Sequence, residues 1–246
     1  MLSIFKSKPL LKDLIPTNYI DIHSHLLPGI DDGAKTFEDS LRLTKALQSF
    51  GTTQLITTPH IIHHFWENNS QNIKANEEVT KNELKENNIS IPFRAAAEYM
   101  MDDHFVKIFQ TEKLLTLKDN YVLVEMSYIN PPIQLYSILF ELQVAGYIPV
   151  LAHPERYVFF HNNFEEYKKL INAGCLLQLN LLAVVGYYGE AIVKTAEKLL
   201  QKGMYSFVGS DVHHDNHIAA FNQKIRIKDT APLTEAMKNN QLFKIE

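Results

Sequence analysis

The sequence predicts an α/β fold: a (β/α) barrel on a mostly parallel sheet. Three observations lead there. Seven short runs have strand-type composition, helix-like segments alternate with them, and glycines fall where those helices would end. The first run is "YIDIHSH" (19–25), after an N-terminal arm over 1–18. "TQLITTPHI" (53–61) follows Gly51, which would cap the preceding helix. A polar stretch, "ENNSQNIKANEEVTKNELKENN", has helical composition and leads to "IPFRAAAEY" (91–99). Then come "YVLVEMS" (121–127), "IPVLAHPE" (148–155) behind Gly146, "LLQLNL" (176–181) behind Gly174, and "YSFVGSDVH" (205–213) behind Gly203. Seven strand–helix units over 19–246 fit one domain.

Composition narrows the function classes. The chain has 246 residues, 46% hydrophobic and 21% charged, an ordinary globular make-up. A net charge of −4 and no Lys/Arg run argue against nucleic acid as a partner. One cysteine, Cys175, excludes an intramolecular disulfide, so a cytoplasmic location is the expectation. The arm has no apolar core of the roughly seven residues a signal peptide needs, and no segment approaches the ~18 of a membrane span. Membrane insertion is not expected.

Each strand delivers a polar residue at or near its C-terminal end: His23 with His25, His60, Glu98, Glu125, His153, Asn180, and Asp211 with His213. In a (β/α) barrel those ends converge on one rim, where active sites are built. Imidazoles and carboxylates without cysteine suit divalent ions such as Zn, Mn or Fe. His23 and His25, two apart on a strand, share a face and can reach one ion. Five histidines, with Asp32, Glu98, Glu125 and Asp211, exceed what one ion needs. The four carboxylates bring four negative charges, which three divalent ions would reverse. Asp31 and Asp32, before Gly33, read equally as ligands or as a turn with Asp32 or Thr36 capping the next helix. His63, His64, His104, His161, His214 and His217 read as surface residues.

"DIHSHLLPGIDDG", "TPH", "AAEYMMDDHF", "LVEMSY", "AHPERY" and "GSDVHH", in this order from Tyr19 to His217, resemble the polymerase-and-histidinol-phosphatase (PHP) superfamily. The resemblance is narrower still to its CpsB/YwqE-type protein tyrosine phosphatases from bacterial capsule and exopolysaccharide loci. It implies a distorted seven-stranded (β/α) barrel with three divalent ions, Mn foremost and Fe or Zn as alternatives. It implies a first ion on His23, His25 and Asp211, with Glu98 bridging to a second completed by Glu125 and His153. A third would sit on His60, His213 and Asp32, with Asp31 the other candidate from that pair. Arg156 matches the family's phosphate-binding arginine, against a plain ion pair with Glu155; Arg156, His60 and Asp211 are the expected catalytic residues. The stretch "HIIHHFWENNS" departs from the family pattern, being poorer in Arg and Tyr.

The implied reaction is direct attack of water on phosphorus, with a phosphotyrosine protein as substrate, foremost a membrane tyrosine autokinase controlling polysaccharide export. Homo-oligomers are also compatible with the resemblance. Phe65, Trp66, Tyr99, Tyr128, Tyr157, Phe159, Phe160, Tyr187 and Tyr188 accumulate near the rim, as core packing or as walls for a phosphotyrosine ring. Two other readings stand beside this one: a histidinol-phosphatase-like small-molecule phosphoesterase, and a non-catalytic metal-binding module of an export complex. A cysteine-based phosphatase is set aside, because Cys175 enters an apolar strand with no arginine after it.

Overall fold

Strand and helix alternate through the computed structural model, which describes residues 7–245. In chain order the elements are β1 (Tyr19–Asp21), α1 (Phe37–Ser49), β2 (Thr52–Thr57), β3 (His60–Ile61), α2 (Ser70–Glu86), β4 (Phe93–Ala95), β5 (Glu98–Met100) and α3 (Asp103–Thr111). They continue as β6 (Tyr121–Glu125), α4 (Leu135–Val144), β7 (Ile148–Ala152), α5 (Glu165–Asn172), β8 (Leu176–Asn180), α6 (Glu190–Gln201), β9 (Phe207–Gly209), α7 (Asp215–Ala220) and α8 (Ala231–Asn239). Every strand pairing between them is parallel.

The seven expected strands become nine, in two sheets: β1-β2-β4, and β3-β5-β6-β7-β8-β9. The runs 53–61 and 91–99 each break in the middle. Pro59 lacks the N–H that a central strand residue donates, and around it Thr58 N–H turns to Ser24 O at 2.7 Å. A single closed sheet is therefore not what forms. Among the described residues, the first and last strand regions meet through one parallel bridge, Ser24 with Val212. Side chains reinforce that seam. Asp21 accepts Ser210 N–H at 2.9 Å, and Asn240 Nδ2 donates to Ile20 O and Val208 O, both at 2.8 Å.

Local signals account for the helices. Thr36 and Asp39 form a capping box at the start of α1, so Thr36, not Asp32, is its cap. Asn69 and Asn72 do the same for α2, which occupies the polar stretch read as helical. The four expected cap glycines follow α1, α4, α5 and α6, all with positive φ. A small apolar cluster including Ile20, Ile56, Leu123, Val150 and Phe207 lies among the strands, with Phe243 packed into it. A larger one lies between strands and helices. Of the arm expected over 1–18, residues 1–6 lie outside the described residues. Leu10 bridges to Lys224, and Leu11 is fully buried.

Candidate metal centre

The strand ends bring the predicted ligands together. His23 Nε2 and His25 Nε2 are 3.3 Å apart. Asp211 Oδ1 is 3.2 Å from the first and 3.5 Å from the second. Such separations are those of atoms sharing one ion through bonds of about 2.1 Å. Glu98 is central: Oε2 stands 3.2 Å from His23 Nε2 and 3.2 Å from His60 Nδ1, while Oε1 stands 3.1 Å from His153 Nε2. Asp32 Oδ1 lies 3.5 Å from both His60 Nε2 and His213 Nε2. Glu125 meets His60 Nδ1 at 2.8 Å and shares no ligand cluster with His153.

The fit to cations has a separate support. His60 Nδ1 and Glu125 Oε1 are buried and, though 2.8 Å apart, are not aligned as a hydrogen bond, a costly state for polar atoms unless something else satisfies them. Buried carboxylates and imidazoles facing each other form a donor set for divalent ions.

Outer contacts fix the rings. His23 Nδ1 donates to Gln178 Oε1 at 2.7 Å and His25 Nδ1 to Asp31 Oδ2 at 2.8 Å, which leaves both Nε2 lone pairs facing the bowl. The aspartate pair thus divides. Asp31, buried, holds His25 from behind and accepts Gly33 N–H at 2.9 Å, while half-exposed Asp32 faces His60 and His213. Gly33 passes so close that a Cβ there would lie 2.4 Å from the His25 Cβ. Two of the gathered residues, His153 (φ 38°) and Asp211 (φ 51°), have left-handed backbones, a strain that clusters at functional sites.

The field in the bowl favours cations. Burial opposes charge on His23, yet the Glu98 and Asp211 carboxylates outweigh it and lift its pKa to about 10. His60 rises to about 9 against burial, chiefly through Glu125. Conversely, the surrounding histidines hold Glu98 and Asp211 well below the usual carboxylate range despite burial.

Arg156 lies at the edge. Its Nη1 donates to Asp211 Oδ2 at 2.9 Å, and its guanidinium carbon sits 4.6 Å from the Tyr128 ring centroid and 4.2 Å from that of Tyr188. The alternative pairing with Glu155 does not form. Glu155 turns inward to accept Asn180 N–H at 2.9 Å and the Tyr205 hydroxyl at 2.8 Å. Asn180 in turn donates to Asp211 Oδ2 at 2.6 Å and to the Tyr188 hydroxyl at 3.0 Å. A cleft of about 540 Å³ opens above the bowl, walled by Ile62, Phe65, Trp66, Tyr128, Ile129 and Tyr188. Tyr99 and Tyr157 are core residues instead.

One expectation needs correcting. His217 is not a surface residue: it is buried, with Nδ1 3.0 Å from Asp211 O and 3.2 Å from His213 N. Burial, with His213 beside it, lowers its pKa to about 3. Packing of the short α7 against the rim turns it inward, which a three-residue spacing from His214 does not reveal. Gln178 was also missed as a support. Its signal was a polar side chain two residues before Asn180, on the same strand face.

Comparison with known proteins gives a consistent answer. The family model for capsular polysaccharide synthesis, CpsB/CapC, matches residues 19–231. The putative tyrosine-protein phosphatase CapC of Staphylococcus aureus is 29% identical over 195 residues, 79% of this chain and 76% of that protein. The tyrosine-protein phosphatase CpsB of Streptococcus pneumoniae is 30% identical over 203 residues, 79% and 83% of the two chains. Among solved structures, a chain from the work on Bacillus subtilis YwqE and S. pneumoniae CpsB, described as unique metal-dependent tyrosine phosphatases, superposes with a TM-score of 0.77. The match is at 26% identity, over 91% of this chain and 86% of that one. Among the described residues no helix is long and apolar enough to cross a membrane.

Proposed function

The chain belongs to the CpsB/CapC family of capsular polysaccharide synthesis, and from that premise we propose that it is a metal-dependent protein tyrosine phosphatase. The observation that carries this reading is the meeting of three elements in one place: histidine–carboxylate clusters, an arginine at their edge, and an open cleft with aromatic walls. In this reading His23, His25 and Asp211 would hold one ion, Glu98 with Glu125 and His153 a second, and His60, His213 and Asp32 a third, with Mn the favoured metal and Fe or Zn alternatives. The two sheets read as one distorted (β/α)7 barrel, interrupted where β2 gives way to β3 and β4 to β5. Residues 19–246 form its single domain behind an arm over 1–18.

When bound, the ions acidify water and neutralise phosphoryl charge. Arg156 grips the phosphoryl oxygens with its planar fork, held between the faces of Tyr128 and Tyr188. Phe65, Trp66 and Ile129 flank the phenyl ring, and Asp211 is steadied by Asn180. Water adds to phosphorus as the bond to the tyrosine oxygen breaks, and the phenolate, with an ordinary pKa near 10, leaves with little acid assistance. A cysteine nucleophile has no support. Cys175 is fully buried, and burial pushes its thiol up to about 12. The physiological substrate in this reading is the tyrosine-rich tail of a membrane tyrosine autokinase, met in the cytoplasm.

The test is phosphate release from a phosphotyrosine peptide and, separately, from histidinol phosphate, with Mn²⁺ or chelator, for wild type and Arg156→Ala. Mn-dependent release from the peptide, reduced about 10²- to 10³-fold in Arg156→Ala, is expected. Release from the small molecule alone would move the assignment to a phosphoesterase. Release from neither would leave a binding module.

A further inference from the structure

The turn after β3 carries a second group of metal-type side chains, outside the bowl. Ile62 and Trp66 close it with two backbone bonds, Ile62 N–H to Trp66 O at 3.0 Å and Trp66 N–H to Ile62 O at 2.8 Å. His63 and His64 stand at its tip, and Glu67 leaves it. His63 Nδ1 lies 3.3 Å from Glu67 Oε1, and His64 Nδ1 lies 3.8 Å from the same oxygen. One ligand atom from each residue falls within 4.8 Å of the others.

We propose that His63, His64 and Glu67 form a peripheral site for a borderline divalent ion of the Zn²⁺ type, separate from the catalytic cluster. The spacing supports it. Two ligand atoms at tetrahedral positions about 2.05 Å from one ion stand about 3.4 Å apart, and the observed 3.3 and 3.8 Å bracket that value. The turn is also organised in advance. His64 takes a left-handed backbone, φ 68°, an uncommon state for a non-glycine residue, and its N–H is held by Glu67 Oε1 at 3.1 Å.

A surface ion pair would explain one histidine beside one carboxylate. Here three imidazoles crowd together: the His63 ring centroid is 3.6 Å from that of His64 and 4.5 Å from that of His104, nearly parallel to the latter. Two of these rings turn a nitrogen toward one shared carboxylate oxygen, an arrangement that suits a cation. Two imidazoles and one carboxylate are a donor set that Zn²⁺ accepts in its usual four-coordinate geometry. The same turn carries Phe65 and Trp66, so an ion at its tip would stiffen one wall of the cleft.

The experiment counts zinc. Mn-loaded wild type, His63→Ala/His64→Asn and Glu67→Gln are dialysed against buffered Zn²⁺ series, and bound zinc is measured by atomic emission. Asn at 64 tolerates the left-handed backbone, and Gln at 67 keeps an acceptor for the His64 N–H. Any exchange of zinc into the bowl is common to all three proteins, so the differences report the turn. The double variant is expected to bind one ion fewer per chain and Glu67→Gln to bind that ion about tenfold more weakly, with zinc-free melting temperatures unchanged. Equal zinc binding by wild type and both variants across the series would overturn the proposal. Should the double variant melt early, Glu67→Gln alone decides.

Discussion

Replacing Glu155 with glutamine should remove a pH dependence of stability. The carboxyl is fully buried. Burial raises its pKa from 4.5 to about 7, in spite of hydrogen bonds from Asn180 and Tyr205 and the charge of Arg156. Between those two values the folded protein binds a proton there that the unfolded chain has lost. The resulting stabilisation is fully present below about pH 4.5 and disappears as pH rises through about 7. At about 1.36 kcal/mol per pH unit the loss comes to about 3 kcal/mol by pH 8. Glutamine has nearly the same shape, can still accept from Asn180 N–H, and has no proton to release. Urea unfolding of wild type and Glu155→Gln, both with chelator, from pH 4.5 to 8 gives the difference at each pH, in which other titrating groups cancel. That difference should drift by about 3 kcal/mol in favour of the variant. Parallel profiles would refute the reasoning, since burial would then not govern the protonation of this carboxyl.

Other expectations follow from close contacts. In Gly209→Ala the new Cβ would lie 2.5 Å from the His23 Cβ and 2.8 Å from Gln178 Oε1; calorimetry should show a loss of about 1–3 kcal/mol, and dialysis a lower retained metal content. Asp31→Asn unfastens His25 Nδ1 from its charged partner and should weaken metal binding about 10- to 100-fold by titration calorimetry, with little change in fold. Cys175→Ala should keep full peptide-phosphatase activity, because the thiol is buried away from the cleft; loss of turnover in a folded variant would revive a thiol mechanism.

Much of this site could be read in the chain before folding. A polar residue ending an apolar run is conspicuous, and parallel topology turns nine such positions into neighbours, as His23, Glu98 and Asp211 illustrate. The rest depended on approach angles that periodicity does not encode. Pro59 interrupts its strand, and the break in the sheet beside it depends on where Thr58 finds an acceptor. Asp31 and Asp32 are indistinguishable in sequence. They separate because the chain turns between them, sending one carboxylate behind His25 and the other over His60. Glu155 beside Arg156 suggested an ion pair, yet the short helical turn Pro154–Arg156 points the two side chains apart.

The seam between the ends of the chain also bears on biosynthesis. Asp21 waits for Ser210, 189 positions later, and Ile20 for Asn240, 220 positions later. At translation rates of about 5–20 residues per second, His23 and His25 exist for roughly 10–40 s before Asp211 is made. During that interval a nascent chain carries the two histidines without their carboxylate partner. The histidine–carboxylate cluster therefore closes only late in translation, and products terminated before Asp211 lack the carboxylate that meets both histidines.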